Sequence, residues 1–473
     1  MILYAKWSYG ENMKDINAWT AYTKKQEKEI ETLSAGYRKF LNDGKTEREC
    51  IKQIKAMAEA AGYRPLNELA EEGKKLKKSD KVYAVCMNKT AVLFNIGSEP
   101  ITDGMNILGA HIDSPRLDVK QNPIYEDSEI VYLDTHYYGG IKKYQWVTIP
   151  LAIHGVVAKK DGEVVEITIG EDENDPVVFV SDLLVHLAAQ QLNKKGAVVI
   201  EGEALDVVIG SKPLKGEDKE AVKANILKIL KARYDIEEDD LWSAELEIVP
   251  AGKAREAGLD GSMIMAYGQD DRVCAYTSLA AMLDVESVER TSCCLLVDKE
   301  EIGSVGATGM QSKFFENTVA EILAIMDIDA SGELALRRTL ANSRMLSSDV
   351  SAAFDPLYAN KFEKRNAAMM GKGMVFNKFT GARGKSGSND ANAEYLGELR
   401  LILSDKKVVF QSAELGKVDI GGGGTIAYIM ALYGMQVVDS GVAVLNMHAP
   451  YEVTSKADIY ETKRGYEAFL NAR

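Results

Sequence analysis

Strands and helices alternate along most of this chain, and the alternation is interrupted once. From about Gly261 a helix begins near Asp271, and the apolar run Cys293-Cys-Leu-Leu-Val297 reads as a buried strand. A helix around 313–324, a strand ending near Ser348-Asp349 and a helix near 389–401 follow. Two strands then lead to Met447-His448, and a C-terminal helix starts after Thr454-Ser455. Such alternation calls for an α/β fold with a mixed, mostly parallel sheet sandwiched by helices. The N-terminal part adds to the same layers. It has a helical stretch from Asp15 to Leu41, and Thr46 with Glu49 forms a capping box for a second helix running to Ala61. A hairpin turns about Asn88-Lys89, and the strand Asn106-Ile-Leu-Gly-Ala110 delivers His111 at its end.

The interruption begins near Lys120. To Gly170 the sequence is rich in β-branched and aromatic residues with short polar turns, which predicts antiparallel strands. Helices around 182–192 and 218–232 and a strand over 242–249 complete it. We divide the chain into a first part of an α/β domain (1–120), an inserted β-rich domain (121–255) and the second part (256–473). A chain of 473 residues exceeds one ordinary compact core, which fits this division.

The net charge of −14 argues against nucleic acid or an anionic membrane as a partner. Met1 to Lys6 is too short for a secretory apolar segment, and no run approaches the roughly 18 apolar residues of a membrane span. The five cysteines show no C-x-x-C spacing, and several lie in apolar surroundings. They read as reduced thiols used as small hydrophobes, so the expected location is cytoplasmic.

Chemistry gathers at strand ends. Asp298-Lys-Glu-Glu-Ile-Gly-Ser304 follows the Cys293 strand, and neighbouring residues leaving a strand point in different directions. One of its glutamates can bind a metal while the other faces a substrate. We read Glu301 as the ligand and Glu300 as a general base. His111-Ile-Asp113, Gly268-Gln-Asp-Asp-Arg272, Ser347-Ser-Asp349 and Met447-His448 occupy equivalent places. Each alone has an ordinary explanation: a structural histidine, an N-capping aspartate, a polar loop. Together, His111, Asp270, Glu301, Asp349 and His448 can converge on one sheet edge. Two histidines and three carboxylates suit zinc, with cobalt or manganese as alternatives. With Asp270 shared, His111 and Asp349 serve one ion, and Glu301 and His448 the other. His136 and His154 match no ligand position and read as structural. Gly421-Gly-Gly-Gly424 precedes a predicted helix but lacks the G-K-[ST] of a phosphate loop, and reads as a close-packed turn bordering the site.

As an ordered set, these motifs resemble the M18 metallopeptidases, which are dinuclear zinc aminopeptidases. Ser386-Gly-Ser-Asn-Asp-Ala-Asn392 and Leu415-Gly-Lys-Val-Asp-Ile-Gly-Gly-Gly-Gly-Thr425 resemble the aminopeptidase I branch more than the aspartyl aminopeptidase branch. The resemblance implies a zinc-exopeptidase-like catalytic domain interrupted by an oligomerisation domain. It also implies two zinc ions per subunit bridged by Asp270, Asp113 supporting His111, and Glu300 as the acid/base. Substrates are then peptides, with neutral or hydrophobic N-terminal residues preferred, and the assembly a tetrahedral homododecamer. Leu183-Leu-Val-His186-Leu187 resembles the segment whose histidine reaches a neighbouring subunit's active site, which makes His186 a substrate-binding residue or, as a lower-ranked option, a third zinc histidine. The chain departs from the family after Asp349, where Ala352 and Asp355 stand at positions that often hold histidine. The same metal core also serves carboxypeptidases and deacylases, and a peptidase-like scaffold without activity is the non-enzymatic alternative.

Overall fold

The computed structural model describes residues 16–328 and 333–473. The expectations for Met1 to Lys6 and for a helix starting at Asp15 fall on or begin at residues outside that set. Within it the first long helix is Lys24–Asp43, entered through a Thr23 capping box. Its apolar stripe of Ile30, Tyr37, Phe40 and Leu41 faces inward. The helix Glu47–Ala60 carries the expected capping box, with Thr46 accepting from Glu49 N and Glu49 reaching back.

A nine-stranded mixed sheet forms the centre. Four neighbouring strands, Thr291–Val297, Met105–His111, Arg344–Ser348 and Gln436–Gly441, run parallel. Their side chains alternate between two apolar cores. Cys294 and Leu296 join Leu108 and Ala110 on the face covered by Lys24–Asp43, Glu47–Ala60, Gln269–Asp284 and the C-terminal helix Lys456–Leu470. Cys293 and Leu295 join Met105 and Ile107 on the other, under Phe314–Ile325 and Glu333–Ala341. Each fully buried aliphatic side chain contributes about 1.5–3 kcal/mol, so both faces are committed to burial. All five cysteines are free, and four are buried. No helix among the described residues is long and apolar enough to cross a membrane.

Residues between Arg116 and Pro250 form a seven-stranded antiparallel sheet with its own core around Trp146, Leu151, Leu205 and Ile248. Its strand Arg116–Asp127 begins before residue 121, so the sheet starts directly beyond the His111 strand. Three local expectations need correction. Over 182–192 only Ala189–Leu192 is helical. The strand near Trp242 begins at Ala244, after a 3₁₀ turn Glu238–Ser243 rich in acidic residues. The helix beyond the glycine run is the short Ala427–Ala431, and Gly421–Gly424 follow an irregular path, close-packed at Gly421, where a Cβ would lie 2.1 Å from the Leu415 carbonyl oxygen.

A five-stranded sheet of Arg255–Ala257, Met263–Ala266, Glu452–Ser455, Ala443–Leu445 and Ser351–Ala352 was not foreseen. Strands of two to four residues carry too little periodicity to register as a pattern. This sheet brings the chain on either side of His448 beside the entry to the Gln269–Asp284 helix, by pairing Ala266 with Glu452.

Candidate active site

The parallel strands end together. His111 pairs in register with Val297, and Ser347 with Gly109. Asp298-Lys-Glu-Glu and Asp349 therefore leave the sheet on the same edge as His111, the edge where open α/β sheets place their ligands. Asp270 enters from the start of the buried Gln269–Asp284 helix, where the Asp270–Asp271 peptide is cis.

Asp270 lies at the middle. Its Oδ1 is 3.3 Å from His111 Nε2, and its Oδ2 is 3.2 Å from His448 Nε2. On the first side, His111 Nε2 lies 4.0 Å from Asp349 Oδ1 and 3.8 Å from Glu300 Oε2. On the second, His448 Nε2 is 3.6 Å from Glu301 Oε2. Both ring orientations are held from behind. His111 Nδ1 donates to the Asp113 carbonyl at 3.1 Å, and His448 Nδ1 to the Gly140 carbonyl at 2.8 Å. A carbonyl only accepts, so each Nδ1 carries a hydrogen, and it is Nε2 that faces the cluster and would give its lone pair to a cation.

Electrostatics tell against a cluster built only to satisfy itself. Burial pushes the Glu301 and Asp349 carboxyls well above the ordinary carboxylate range, with neighbouring carboxylates adding to it. Burial pushes Glu300 up to about 7. Burial lowers His448, but Asp270 and Glu301 outweigh it and hold the ring up at about 10. Asp270 Oδ1 and Glu301 Oε1 are buried without a hydrogen-bond partner. These are crowded carboxyls that disfavour one another's ionisation and orphaned acceptors, and a cation is what would satisfy them. The spacing agrees: two ligands about 2.0–2.2 Å from a tetrahedral ion lie about 3.3–3.6 Å from each other. The residues present fit a metal centre. Ligand atoms of His111, Asp270 and Glu301 lie within 4.8 Å of one another, as do those of His111, Glu300 and Asp349.

The supporting residues were partly missed by sequence reading. Asp113 was expected, and its carboxylate accepts from Glu300 N and Glu301 N, each at 3.2 Å. Glu452 was not: its two oxygens accept from Asp270 N at 2.9 Å and His448 N at 2.7 Å. Its signal was its place four residues after His448, in the run His448-Ala-Pro-Tyr-Glu452. Asp271, adjacent to Asp270, accepts from His111 N at 3.3 Å, and its carboxylate groups with Asp270 and Asp349. Tyr138 donates to Asp113 Oδ2 at 2.8 Å. His186 lies in an exposed stretch of the 116–250 region. His154 is buried between Glu49, at 2.7 Å, and Glu171, at 3.2 Å, and exposed His136 meets the Tyr137 carbonyl. Ala352 pairs with Val444 in the small sheet, and Asp355 caps the turn Pro356–Lys361.

The family model described as aminopeptidase I zinc metalloprotease (M18) matches residues 40–470. A probable M18 family aminopeptidase 1 of Clostridium acetobutylicum is 63% identical over 457 residues, covering 96% of this chain and 98% of that protein. Among solved structures, an M18 family aminopeptidase from Thermotoga maritima superposes with a TM-score of 0.92 at 44% identity, covering 96% of this chain and 99% of that one. Aminopeptidase I from Clostridium acetobutylicum gives 0.90 at 62% identity, with 97% and 99% covered. At 18% identity the fold extends to the S. cerevisiae mApe1 dodecamer, with a TM-score of 0.75 and 92% and 95% covered.

Proposed function

The chain belongs to the M18 family of zinc metalloproteases and is a metallo-aminopeptidase, and from that premise we propose that it is a dinuclear zinc enzyme that removes neutral or hydrophobic N-terminal residues from peptides. One observation carries the two-ion reading. The Asp270 carboxylate faces His111 with one oxygen and His448 with the other, at 3.3 and 3.2 Å. His111, Asp270 and Asp349 would hold one ion, and His448, Asp270 and Glu301 the other. When bound, the zinc ions would supply Lewis-acid polarisation of the scissile carbonyl and an acidified water. Glu300 is the general base: its carboxylate is free of the bridging geometry and its burial favours proton uptake. It takes the proton of the attacking water and returns it to the leaving amine. Asp113 fixes both glutamates through their backbone amides, which keeps the base and the ligand in a constant relation.

The 121–255 insertion serves self-association in this reading, as a tetrahedral homododecamer. Support comes from its separate core and from the dodecameric yeast structure. His186 then reaches a neighbouring subunit's site as a substrate-binding group. The protein is cytoplasmic, consistent with its free thiols. Ala352 and Asp355 have local structural roles here, so the histidines common at those positions are dispensable for holding metal. The test is a panel of aminoacyl chromogenic substrates with free and blocked N-termini, assayed on protein analysed for metal. Leucyl turnover above aspartyl, none from blocked substrates and two zinc ions per chain are expected. Aspartyl preference would remove the substrate assignment, and one ion per chain the dinuclear one.

A further inference from the structure

Three consecutive residues at the end of an antiparallel strand lie against both halves of the metal cluster. Tyr138 closes the strand Ile130–Tyr138 of the seven-stranded sheet. Its hydroxyl donates to Asp113 Oδ2 at 2.8 Å. That carboxylate also receives the amides of Glu300 and Glu301, and its Oδ1 lies 3.3 Å from His111 Nδ1. One side chain from the inserted sheet therefore sets the group on which a proposed ligand, the proposed base and the His111 ring all lean. The tyrosine is itself anchored. Its ring is buried, and the Arg116 guanidinium carbon sits 3.9 Å from the ring centroid. Arg116 is in turn held by Asp118 at 2.7 Å, Glu247 at 3.2 Å and Glu47 at 3.4 Å.

The next two residues face the other half. Gly139 has φ +76°, and a Cβ there would lie 3.3 Å from Glu301 Oε2 and 3.4 Å from Glu301 Cβ. The Gly140 carbonyl accepts from His448 Nδ1 at 2.8 Å, which directs Nε2 toward Asp270 and Glu301.

We propose that Tyr138-Gly139-Gly140 is a positioning strap for the metal centre, by which the inserted sheet fixes the geometry of both metal-binding halves of the catalytic domain. This rests on the two-zinc reading above. Tyr138 acts through Asp113, Gly139 by leaving room for Glu301, and Gly140 through the His448 ring. Partners of this kind typically change metal affinity by about 10–100-fold.

The test uses the full chain. Zinc content is measured after dialysis against buffers of fixed free zinc, for wild type, Tyr138→Phe, Gly139→Ala and the exposed control Tyr137→Phe. Tyr138→Phe keeps the ring over Arg116 and removes only the donor. It should need about tenfold more free zinc for half-occupancy, with kcat reduced at low zinc, KM unchanged and activity restored by added zinc. Gly139→Ala should shift occupancy the same way through Glu301, and it carries the test if Tyr138→Phe does not fold. Tyr137→Phe should match wild type. Occupancy curves identical to wild type for both strap variants overturn the proposal, as does an activity loss that added zinc does not restore. A wild-type chain that holds fewer than two zinc ions overturns the two-zinc reading first, which separates the two failures.

Discussion

At the residue scale the adjacent pair Glu300 and Glu301 carries the sharpest consequence. Their amides rest on the same Asp113 carboxylate, but their side chains part: Glu301 Oε2 lies near His448, and Glu300 Oε2 near His111. Glu300→Gln keeps the shape and removes the proton acceptor. It should retain both metals by elemental analysis while kcat falls by about 10²–10⁴. Turnover within a few-fold of wild type would take Glu300 out of the proton transfer, and loss of a metal would make it a ligand. Glu301→Ala should lose one zinc per chain, and retention of two would end its ligand assignment. That His111, Asp270, Glu301, Asp349 and His448 gather in one place was legible in the sequence, because each falls at the end of a predicted strand or the start of the next helix. Glu452 and Tyr138 were not. Each looks like an ordinary strand residue until the fold brings it to a carboxylate or an amide far away in sequence: Glu452 to Asp270, Tyr138 to Asp113. The spacing of Glu452 from His448 is its one local trace, and Tyr138 has none, because its partner is set by topology.

At the element scale, the end of the Gln436–Gly441 strand packs tightly on the site. A Cβ on Gly441 would lie 1.9 Å from the Asp349 carbonyl oxygen and 2.9 Å from Cys274 Sγ. The obstruction is mostly backbone, so it cannot swing aside. Gly441→Ala should destabilise by about 1–3 kcal/mol through overpacking and weaken metal binding on the Asp349 side. A thermal melt and zinc titration check this, and an unchanged melting temperature would show that the strand can shift freely. Long elements with strong periodicity were readable: the Cys293 strand, the hairpin about Asn88-Lys89 and the helix after Thr46 all fall where expected. The short strands of the five-stranded sheet were not, and neither was the irregular path over 182–188. That path has an apolar run, Leu183-Leu-Val185, with the composition of a helix or strand and neither structure. Its side chains are exposed, so local propensity met no packing partner in the chain to fix it.

At the scale of the whole molecule, two sheets must stay in register for the strap and the cluster to meet. His154 helps join them: it projects from the seven-stranded sheet to Glu49 on the capping box of Glu47–Ala60, with Glu171 on its other nitrogen. Lys45 sits 3.5 Å from Glu171 and is the facing cation. Burial lowers the His154 pKa, but Glu171 and Glu49 outweigh it and leave the ring above its ordinary 6.5. A raised histidine pKa favours the folded state most below pH 6.5, and that stabilisation is lost as pH rises through the folded value. His154→Gln should therefore cost about 1.5–3 kcal/mol near pH 6 and progressively less toward pH 9. Melts of both proteins across that range read it, and a deficit that grows with pH would reverse the sign of the contact. The irregular path over 182–188, which follows a strand of the same sheet, presents the exposed run Leu184, Val185 and Leu187, which are 54%, 68% and 67% accessible. Contiguous apolar surface of this kind is poorly tolerated by a free subunit in water, and closed symmetric assembly is the usual way to cover it. If the run is an inter-subunit contact, Val185→Asp with Leu187→Asp should yield smaller particles by light scattering. Peptide hydrolysis should fall with them if His186 serves a neighbouring subunit as proposed, while zinc content per chain stays at the wild-type level. Small particles with full activity would separate assembly from catalysis. Unchanged particle size would show that this run is not what holds the subunits together.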